Sequence, residues 1–355
     1  MVCLISSTAP PVERDEAFRF EIKDVIVHDV PGQYLVVHHL PRLFWDRYVE
    51  IPQNIFVRDC YGKLYTIVSD LMIGGLMNHG VTLFTGAPGI GKSLFLIYFI
   101  YRFLHDNRFP DKRFAVEFDS GNYWYFQPTS EGIFSCILRD GHYFWDKDFL
   151  LLCDIMDLDQ PLSRSKWTFI FSSPFPMRYK DILKNSPCFK YILPTWSELE
   201  LMFLNVDIGL WYQDFVVFGG VPQYVLPVAS GIYKLFDEAL AQRGEVIATE
   251  FLKFRTGVVD SQQSYMLVHI NPPVADNGDY KYSGWNVYSF ASDFIFQRLV
   301  EKHRVQMLAG AAETFNDRTV SESYAAVSLG KLFEKICLWL KPLNGQRIVV
   351  IEWCC

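Results

Sequence analysis

Short hydrophobic runs separated by longer amphipathic segments predict the framework of this chain. Strands are predicted at residues 81–85, 114–119, 149–153 and 167–172, with a hairpin at 122–127 and a helix at 92–106. The strands are apolar at successive positions, so both of their faces are expected to be buried. Buried strands that alternate with helices are typical of a parallel sheet covered on both sides, and the sequence therefore predicts an α/β fold.

The pattern changes on both sides of this core. Before it, β-branched runs between residues 18 and 37 and a further segment at 55–61 predict a small β-rich region, followed by a helix at 69–79. After residue 196 the pattern is mainly helical. Helices are predicted there at 196–205, 208–217, 221–228, 231–243, 245–254, 290–306 and 322–341, with strand-like runs at 265–270 and 348–351.

These changes predict four regions. They are an N-terminal β-rich extension (1–78), a core (79–205), a helical lid region (206–345) and a short truncated tail (346–355). Half of the residues are hydrophobic and 16% are aromatic, which suffices for a packed core and excludes wholesale disorder.

The most informative motif is the segment 86–93, which reads Gly-Ala-Pro-Gly-Ile-Gly-Lys-Ser and is called the glycine loop below. It matches G-x-x-x-x-G-K-[ST] and lies between a predicted strand and a predicted helix, which is the context that a phosphate-binding loop requires. The glycines allow successive backbone N–H groups to face an anion, and the helix N-terminus adds partial positive charge. Lys92 is predicted to reach the β- and γ-phosphates of a nucleoside triphosphate, and Ser93 to ligate Mg²⁺.

All eight loop residues are predicted to contact the nucleotide: Gly86, Ala87, Pro88, Gly89, Ile90, Gly91, Lys92 and Ser93. The predicted cofactors are ATP and Mg²⁺, although the sequence leaves the base specificity open.

A carboxylate that organises Mg²⁺ is expected at the end of a neighbouring apolar strand. Asp154 directly follows the run 149–153 and is predicted to act on Mg²⁺ together with Ser93. Many ATPases place a catalytic Glu directly after this Asp, but here the next residue is Ile155. Asp157 is the alternative carboxylate, so hydrolysis is less securely predicted than binding.

The predicted strand 114–119 lies in sequence between the strand before the glycine loop and the strand that ends at Asp154. That order is typical of the additional-strand P-loop ATPases rather than of simple nucleotide kinases. The strand 167–172 ends beside Ser173, which is predicted to sense the terminal phosphate or to orient water. Arg178 is a second candidate for this role; the alternatives are a strand-terminating Ser and a solvated Arg.

The charge and cysteine patterns restrict where such a protein works. The net charge of -7 argues against a generally basic nucleic-acid binder. The eight cysteines form no C-x-x-C pair, which favours reduced thiols inside a cell. No apolar segment is long enough to span a membrane, and residues 1–11 do not resemble a secretory signal. We therefore expect a soluble intracellular protein.

An ordered series of stretches resembles the ATPase module of the Crinkler effectors of oomycetes and fungi, and its relative in trypanosome retrotransposon hot spot proteins. The stretches are Phe56-Val57-Arg58-Asp59-Cys60-Tyr61, Thr85 with the glycine loop, Ser172-Ser173-Pro174, Arg178-Tyr179-Lys180, Leu193-Pro194-Thr195-Trp196, Phe218-Gly219-Gly220-Val221-Pro222 and Gly330-Lys331-Leu332-Phe333-Glu334. Together they extend over roughly residues 30–340.

The resemblance implies an AAA/STAND-like P-loop NTPase of an effector that is secreted into a host cell and often acts in its nucleus. Family members commonly begin with a header domain and end with a nuclease, and neither is recognised in this sequence. The family usually shows Arg after Gly-Gly-x-Pro, where this chain has Gln223. If that Arg senses the γ-phosphate, this chain is expected to hydrolyse ATP poorly.

Three functions stay open at this point. The first is a Crinkler-type ATPase, in which nucleotide state moves the lid region against the core. The second is a non-catalytic, nucleotide-gated interaction protein with a host protein or chromatin as partner, and an oligomer is possible for either. The third is a P-loop phosphotransferase, for which Arg102, Arg108 and Arg113 are available but are spaced like a solvated helix end.

Overall fold

The computed structural model of the chain describes a mixed α/β protein with most of its strands in one sheet. The residues that it describes are 18–27, 30–40, 44, 52–77, 80–119, 122–129, 132–139, 149–154, 165–174, 188–204, 208–226, 231–250, 264–283 and 287–316.

The strands are β1 (Arg19–Val27), β2 (Val30–His39), β3 (Asn54–Phe56), β4 (Gly80–Thr85), β5 (Phe114–Asp119), β6 (Asn122–Thr129), β7 (Gly132–Arg139), β8 (Leu150–Cys153), β9 (Trp167–Phe171), β10 (Cys188–Ile192), β11 (Val268–Asn271) and β12 (Val287–Phe290). The helices are α1 (Asp59–Ile73), α2 (Lys92–His105), α3 (Glu198–Leu204), α4 (Ile208–Phe218), α5 (Pro222–Val225), α6 (Ile232–Glu250) and α7 (Asp293–Asn316), with a 3₁₀ turn at Ser264–Met266.

The central sheet has seven strands in the order β10-β4-β9-β8-β5-β6-β7. The first five strands are parallel, and β6 and β7 are antiparallel to their neighbours. The mostly parallel sheet that the hydrophobic pattern predicts is therefore confirmed. Because parallel strands end at one edge, the residues that follow β4, β9, β8 and β10 meet along the carboxyl edge of this sheet.

Aromatic packing attaches α2 to the sheet. Phe84 of β4 is fully buried and lies 5.2 Å from the ring of Phe95, between ring centroids. The ring of Phe99 lies 5.2 Å from that of Phe169 on β9. Residues 95–100 of α2 are all buried, as is Phe103, and this packing rather than helix propensity holds α2 in place because short helices are marginal alone.

Several predicted elements have different bounds in the structure. The helix predicted at 69–79 is α1, which begins at Asp59, because the buried positions of the 55–61 segment continue at helical spacing. The hairpin predicted at 122–127 is instead the single strand β6, which pairs with both β5 and β7. The helices predicted at 231–243 and 245–254 form one helix, α6. Strands β7 and β10 were not predicted.

Two small sheets complete the described strands. β1, β2 and β3 form an antiparallel three-stranded sheet in the region where the sequence predicts β structure, and β11 pairs with β12. The helix predicted at 322–341 and the strand predicted at 348–351 lie outside the described residues.

Contacts between residues divide the chain into two compact units. The first comprises Met1–Tyr212, Gly220–Leu226 and Ile270–Val287, and it contains the central sheet and the glycine loop. The second comprises Gln213–Gly219, Pro227–His269 and Tyr288–Cys355, and within it α6 packs along α7. The four regions predicted from the sequence remain predictions. Within the described part of the chain, no helix has the length and apolar character that crossing a membrane demands.

Candidate functional site

The glycine loop connects β4 to α2 at the carboxyl edge of the central sheet. Gly86, Gly89 and Gly91 have φ angles of 150°, 78° and 94°, a region that glycine adopts more readily than other residues. Gly86 has a second reason to be glycine, because an added Cβ would lie 2.6 Å from the carbonyl oxygen of Leu193. The local sequence thus produces a tight turn that ends at the N-terminus of α2.

Lys92 folds back over the loop. Its Nζ donates to the carbonyl oxygens of Gly86 and Ala87, at 3.1 and 2.9 Å, and the residue is only 8% exposed. The ammonium group is therefore held at the loop, where a bound anion would also need it. Ser93 is half-buried in the first turn of α2, next to Lys92.

Two aromatic side chains donate hydrogen bonds to backbone carbonyl oxygens of the loop. The hydroxyl of Tyr61 on α1 donates to the carbonyl oxygen of Gly91 at 2.9 Å. The indole Nε1 of Trp196 donates to the carbonyl oxygen of Ile90 at 2.8 Å. Both side chains are buried, so these contacts are shielded from water.

Asp154 follows β8 at the same sheet edge as the loop. Its backbone N–H donates to the carbonyl oxygen of Glu117 on β5 at 3.0 Å, which continues the parallel pairing beyond the strand end. The residue is half-buried. Strand β9 lies between β4 and β8, so one strand separates the loop strand from the Asp154 strand.

Ser173 follows β9, the strand between the other two. The preceding residue, Ser172, is buried and donates its backbone N–H to the carbonyl oxygen of Phe84 at 3.0 Å. Ser172 Oγ also donates to the carbonyl oxygen of Ser173, at 3.2 Å. The loop, Asp154 and Ser173 thus follow three adjacent parallel strands. Asp157 and Arg178 lie outside the described residues, as does Ile155.

Sequence reasoning did not identify Glu117, whose side chain is 3% exposed in the middle of a buried strand. The thiol of Cys153 donates to Glu117 Oε2 at 3.6 Å. Burial raises the pKa of Cys153 well above its usual range, with the nearby Glu117 carboxylate adding to the effect. The thiol therefore stays protonated and serves as a donor to the carboxylate.

Gln223 of α5 lies directly against the glycine loop. A Cβ added to Gly89 would be 2.4 Å from Gln223 Oε1 and 2.6 Å from Gln223 Cβ. The turn before α5 is held by the backbone N–H of Trp196, which donates to the carbonyl oxygen of Gly220 at 2.7 Å. An added Cβ at Gly220 would lie 1.9 Å from the carbonyl oxygen of Trp196, so this close approach requires glycine.

Two of the stretches that carry the resemblance therefore bond to the loop, and a third reaches it only through Trp196. Tyr61 belongs to the first, Trp196 to the second and Gly220 to the third, and all three were distant from the loop in sequence. The only sequence signal that could have linked these residues to the site is that all three belong to stretches that carry the resemblance.

Metal binding at this site would depend on few protein ligands. Among the described residues, no group of three or more His, Cys, Asp or Glu side chains is close enough to hold a metal ion. Mg²⁺ keeps several waters and is commonly bound by one or two protein ligands together with substrate phosphates. Ser93 and Asp154 are the residues that would take part.

A separate cleft of about 970 Å³ lies beside α1 and α2 in the first unit. Its walls include Arg58, Asp59, Tyr98, Glu200 and Asp279. The described residues that line this cleft belong to the segments before and after the glycine loop rather than to the loop.

The fold and the site together define a mixed α/β protein with a glycine-rich loop at the carboxyl edge of a mostly parallel sheet. No protein-family model matches the chain. The chain is 26% identical over 188 residues to Crinkler effector protein 15 of Phytophthora infestans, in an alignment that covers 49% of this chain and 29% of that protein. It is equally similar to Crinkler effector protein 16 of the same organism, of which it covers 28%.

These similarities support a relation to the Crinkler effectors. The chain spans less than a third of the length of the curated relatives that it matches.

Proposed function

We propose that this chain is a Mg²⁺-dependent nucleotide-binding module of the additional-strand P-loop class that hydrolyses ATP. The observation that carries the proposal is the strand order β10-β4-β9-β8-β5, in which one strand separates the glycine-loop strand from the strand that ends at Asp154. This order brings the loop, Ser173 and Asp154 to three adjacent strand ends. A triphosphate bound along that edge would meet all three.

Each residue has a distinct role in this proposal. The loop N–H groups bind the β-phosphate, because a nest of amides next to a helix N-terminus favours an anion, and Lys92 reaches the β- and γ-phosphates. Ser93 and Asp154 orient Mg²⁺ and its waters. Hydrolysis then consists of water attack on the γ-phosphorus, cleavage of its bond to the ADP oxygen, and release of inorganic phosphate and a proton.

The biological setting is part of the same proposal. Because the chain is similar to Crinkler effector proteins, we propose that it acts as an effector inside a host cell, with secretion and a nuclear destination following from that relation. The corresponding partner would be a host protein or chromatin.

A second candidate is a non-catalytic, nucleotide-gated interaction protein. Ile155 occupies the position where many ATPases have their catalytic Glu, and the neutral Gln223 lies against the loop where a cation would assist charge development. Either feature would slow hydrolysis without preventing nucleotide binding.

Nucleotide binding and phosphate release, measured on the same samples, separate these candidates. Lys92→Ala should weaken binding of Mg²⁺–ATP by about ten- to a hundredfold, because it removes charge-assisted contacts to phosphate. Lys234→Ala, which removes a lysine that is 83% exposed in α6, is the matched control and should change nothing. Asp154→Asn should raise the Mg²⁺ concentration required for turnover, whereas the exposed Asp276→Asn should not.

Phosphate release that is lost in Lys92→Ala supports the ATPase. Binding that is lost in that variant, without phosphate release in the wild type, supports the interaction protein. Absence of binding in the wild type rejects both.

A further inference from the structure

Arg58 is the largest buried cation among the described residues and is only 1% exposed. Its Nε and Nη2 donate to the two carboxylate oxygens of Glu200, at 2.8 and 3.1 Å. Nη1 and Nη2 also donate to the carbonyl oxygens of Pro194 and Thr195, both at 3.0 Å. Burying a guanidinium is costly unless it is paired and hydrogen-bonded, and this network meets that condition.

The guanidinium also contacts both aromatic residues that hold the glycine loop. Its Cζ lies 4.7 Å from the ring centroid of Trp196 and 5.8 Å from that of Tyr61. Cation–π contacts of this length are attractive and fix the orientation of the rings. One buried side chain therefore orders Tyr61 and Trp196 together.

The hydrogen bonds from these two side chains determine the orientation of two peptide groups in the glycine loop. Trp196 draws the carbonyl of Ile90 toward itself, and Tyr61 draws that of Gly91. Because a trans peptide is planar with its C=O and N–H groups pointing in opposite directions, the N–H groups of Gly91 and Lys92 then point away from the rings. Those are amides that a phosphate in the loop would use.

We propose that Arg58 is a positioning residue for the glycine loop: through Tyr61 and Trp196 it holds the Ile90 and Gly91 carbonyls outward and so keeps the loop amides oriented toward a bound phosphate. The ligand in this inference rests on the proposed function, whereas the restraint of the loop does not. Arg58 itself does not touch the nucleotide.

The cleanest test removes one hydrogen-bond donor to the loop at a time. Tyr61→Phe deletes the donor to Gly91 and keeps the ring, and Trp196→Phe deletes the donor to Ile90. The matched control is Tyr65→Phe, one turn further along α1, which deletes an equally buried hydroxyl that bonds to Asp106 at 2.9 Å instead of to the loop. Each loop variant should weaken Mg²⁺–ATP binding about three- to tenfold, as expected for one hydrogen bond, whereas the control should bind normally.

The ligand pattern distinguishes positioning from contact with the terminal phosphate. Oriented loop amides serve the β-phosphate of ATP and ADP alike, so both affinities should fall by the same factor in Tyr61→Phe. A loss confined to ATP would overturn the proposal. Arg58→Lys keeps the charge but loses the bidentate fork, and should reproduce the loss of both affinities.

Hydrogen exchange of the nucleotide-free protein tests the restraint directly. Amides in 86–93 should exchange faster in Tyr61→Phe and Trp196→Phe than in wild type or Tyr65→Phe. If wild type binds no nucleotide, the proposed function fails but this measurement still decides the inference. Equal exchange in all four proteins would overturn it even if Arg58→Lys does not fold.

Discussion

Gln223 and Gly89 are 134 positions apart in the chain, yet the side chain of Gln223 packs directly on the backbone of Gly89. The side chain is exposed, so its amide is accessible at the surface of the glycine loop. A glutamine there can donate to a phosphate oxygen or orient water without adding charge. The structure thus places Gln223, which stands where the family that the chain resembles usually has Arg, against the glycine loop.

Replacing Gln223 should change the preference between ATP and ADP. Gln223→Ala is expected to weaken ATP binding about three- to tenfold with little effect on ADP, because one hydrogen bond to the terminal phosphate is lost. Gln223→Arg should favour ATP over ADP, since it adds a cation at the same location. Isothermal titration with both nucleotides measures this ratio.

Gln127→Ala, which truncates an exposed glutamine on β6, is the control for these variants. Equal losses of ATP and ADP affinity in Gln223→Ala would show that Gln223 supports the loop rather than the terminal phosphate.

Gly89→Ala should impair the loop more than backbone strain alone explains. Its φ of 78° costs an alanine about 1–2 kcal/mol, and the new Cβ would also overlap Gln223. Gly278→Ala is the matched control, because Gly278 has a φ of 85° but open space around its Cβ position. Gly89→Ala should lose more stability than Gly278→Ala in thermal unfolding because of the added overlap, and only Gly89→Ala should lose nucleotide binding.

The overlap with Gln223 has its own test. Gly89→Ala combined with Gln223→Gly should recover part of the binding, because the second change removes Oε1, Cβ and Cδ of Gln223, the atoms that the new Cβ meets. If the double variant binds no better than Gly89→Ala, the loss comes from the backbone conformation and the contact with Gln223 is irrelevant to it.

Stability should fall in mild acid because of His269. This residue of the second unit is 2% exposed, and burial lowers its pKa to about 4. Its Nε2 has no hydrogen-bond partner among the described residues. In the unfolded chain the pKa is about 6.5, so between pH 6.5 and 4 the unfolded state binds a proton that the folded state excludes. The free energy of unfolding should therefore decrease by about 2 kcal/mol between pH 7.5 and 5.

Urea denaturation of wild type and His269→Gln at both pH values checks this expectation. The variant should lose less stability on acidification than the wild type, since its buried side chain does not titrate. His303, whose pKa is also lowered by burial, is present in both proteins and cancels in the comparison. His105→Gln, at an exposed position, should behave like the wild type. The same acid loss in His269→Gln would assign the effect to other groups.

The sequence by itself determined the local part of this protein. A buried strand, a glycine-rich turn and an apolar helix follow one another in β4, the glycine loop and α2, and each is specified by neighbouring residues. The buried strands β8 and β9 were predicted for the same reason, because continuous apolar runs have no stable place outside a covered sheet. Asp154 and Ser173 were then candidates simply because they follow such runs.

Other elements could not be predicted from the hydrophobic pattern because contacts with neighbouring elements, rather than their own residues, define them. β10 contains Lys190, which is half-buried and whose pKa is lowered by that burial. β7 and β10 are the two end strands of the central sheet, so hydrogen bonds to β6 and β4 define them more than their own composition does. The start of α1 was likewise missed, because a short strand and a helix share the segment around residues 55–61.

Only the tertiary structure decided which strands are neighbours and which side chains reach the loop. The order β10-β4-β9-β8-β5 follows from pairing between strands far apart in the chain, which no local pattern encodes. Tyr61, Trp196 and Gln223 come to the loop from three separate segments, and the guanidinium of Arg58 contacts the rings of the first two. Hydrogen bonds and ring contacts of this kind depend on distances in space, and these exist only once the sheet has assembled.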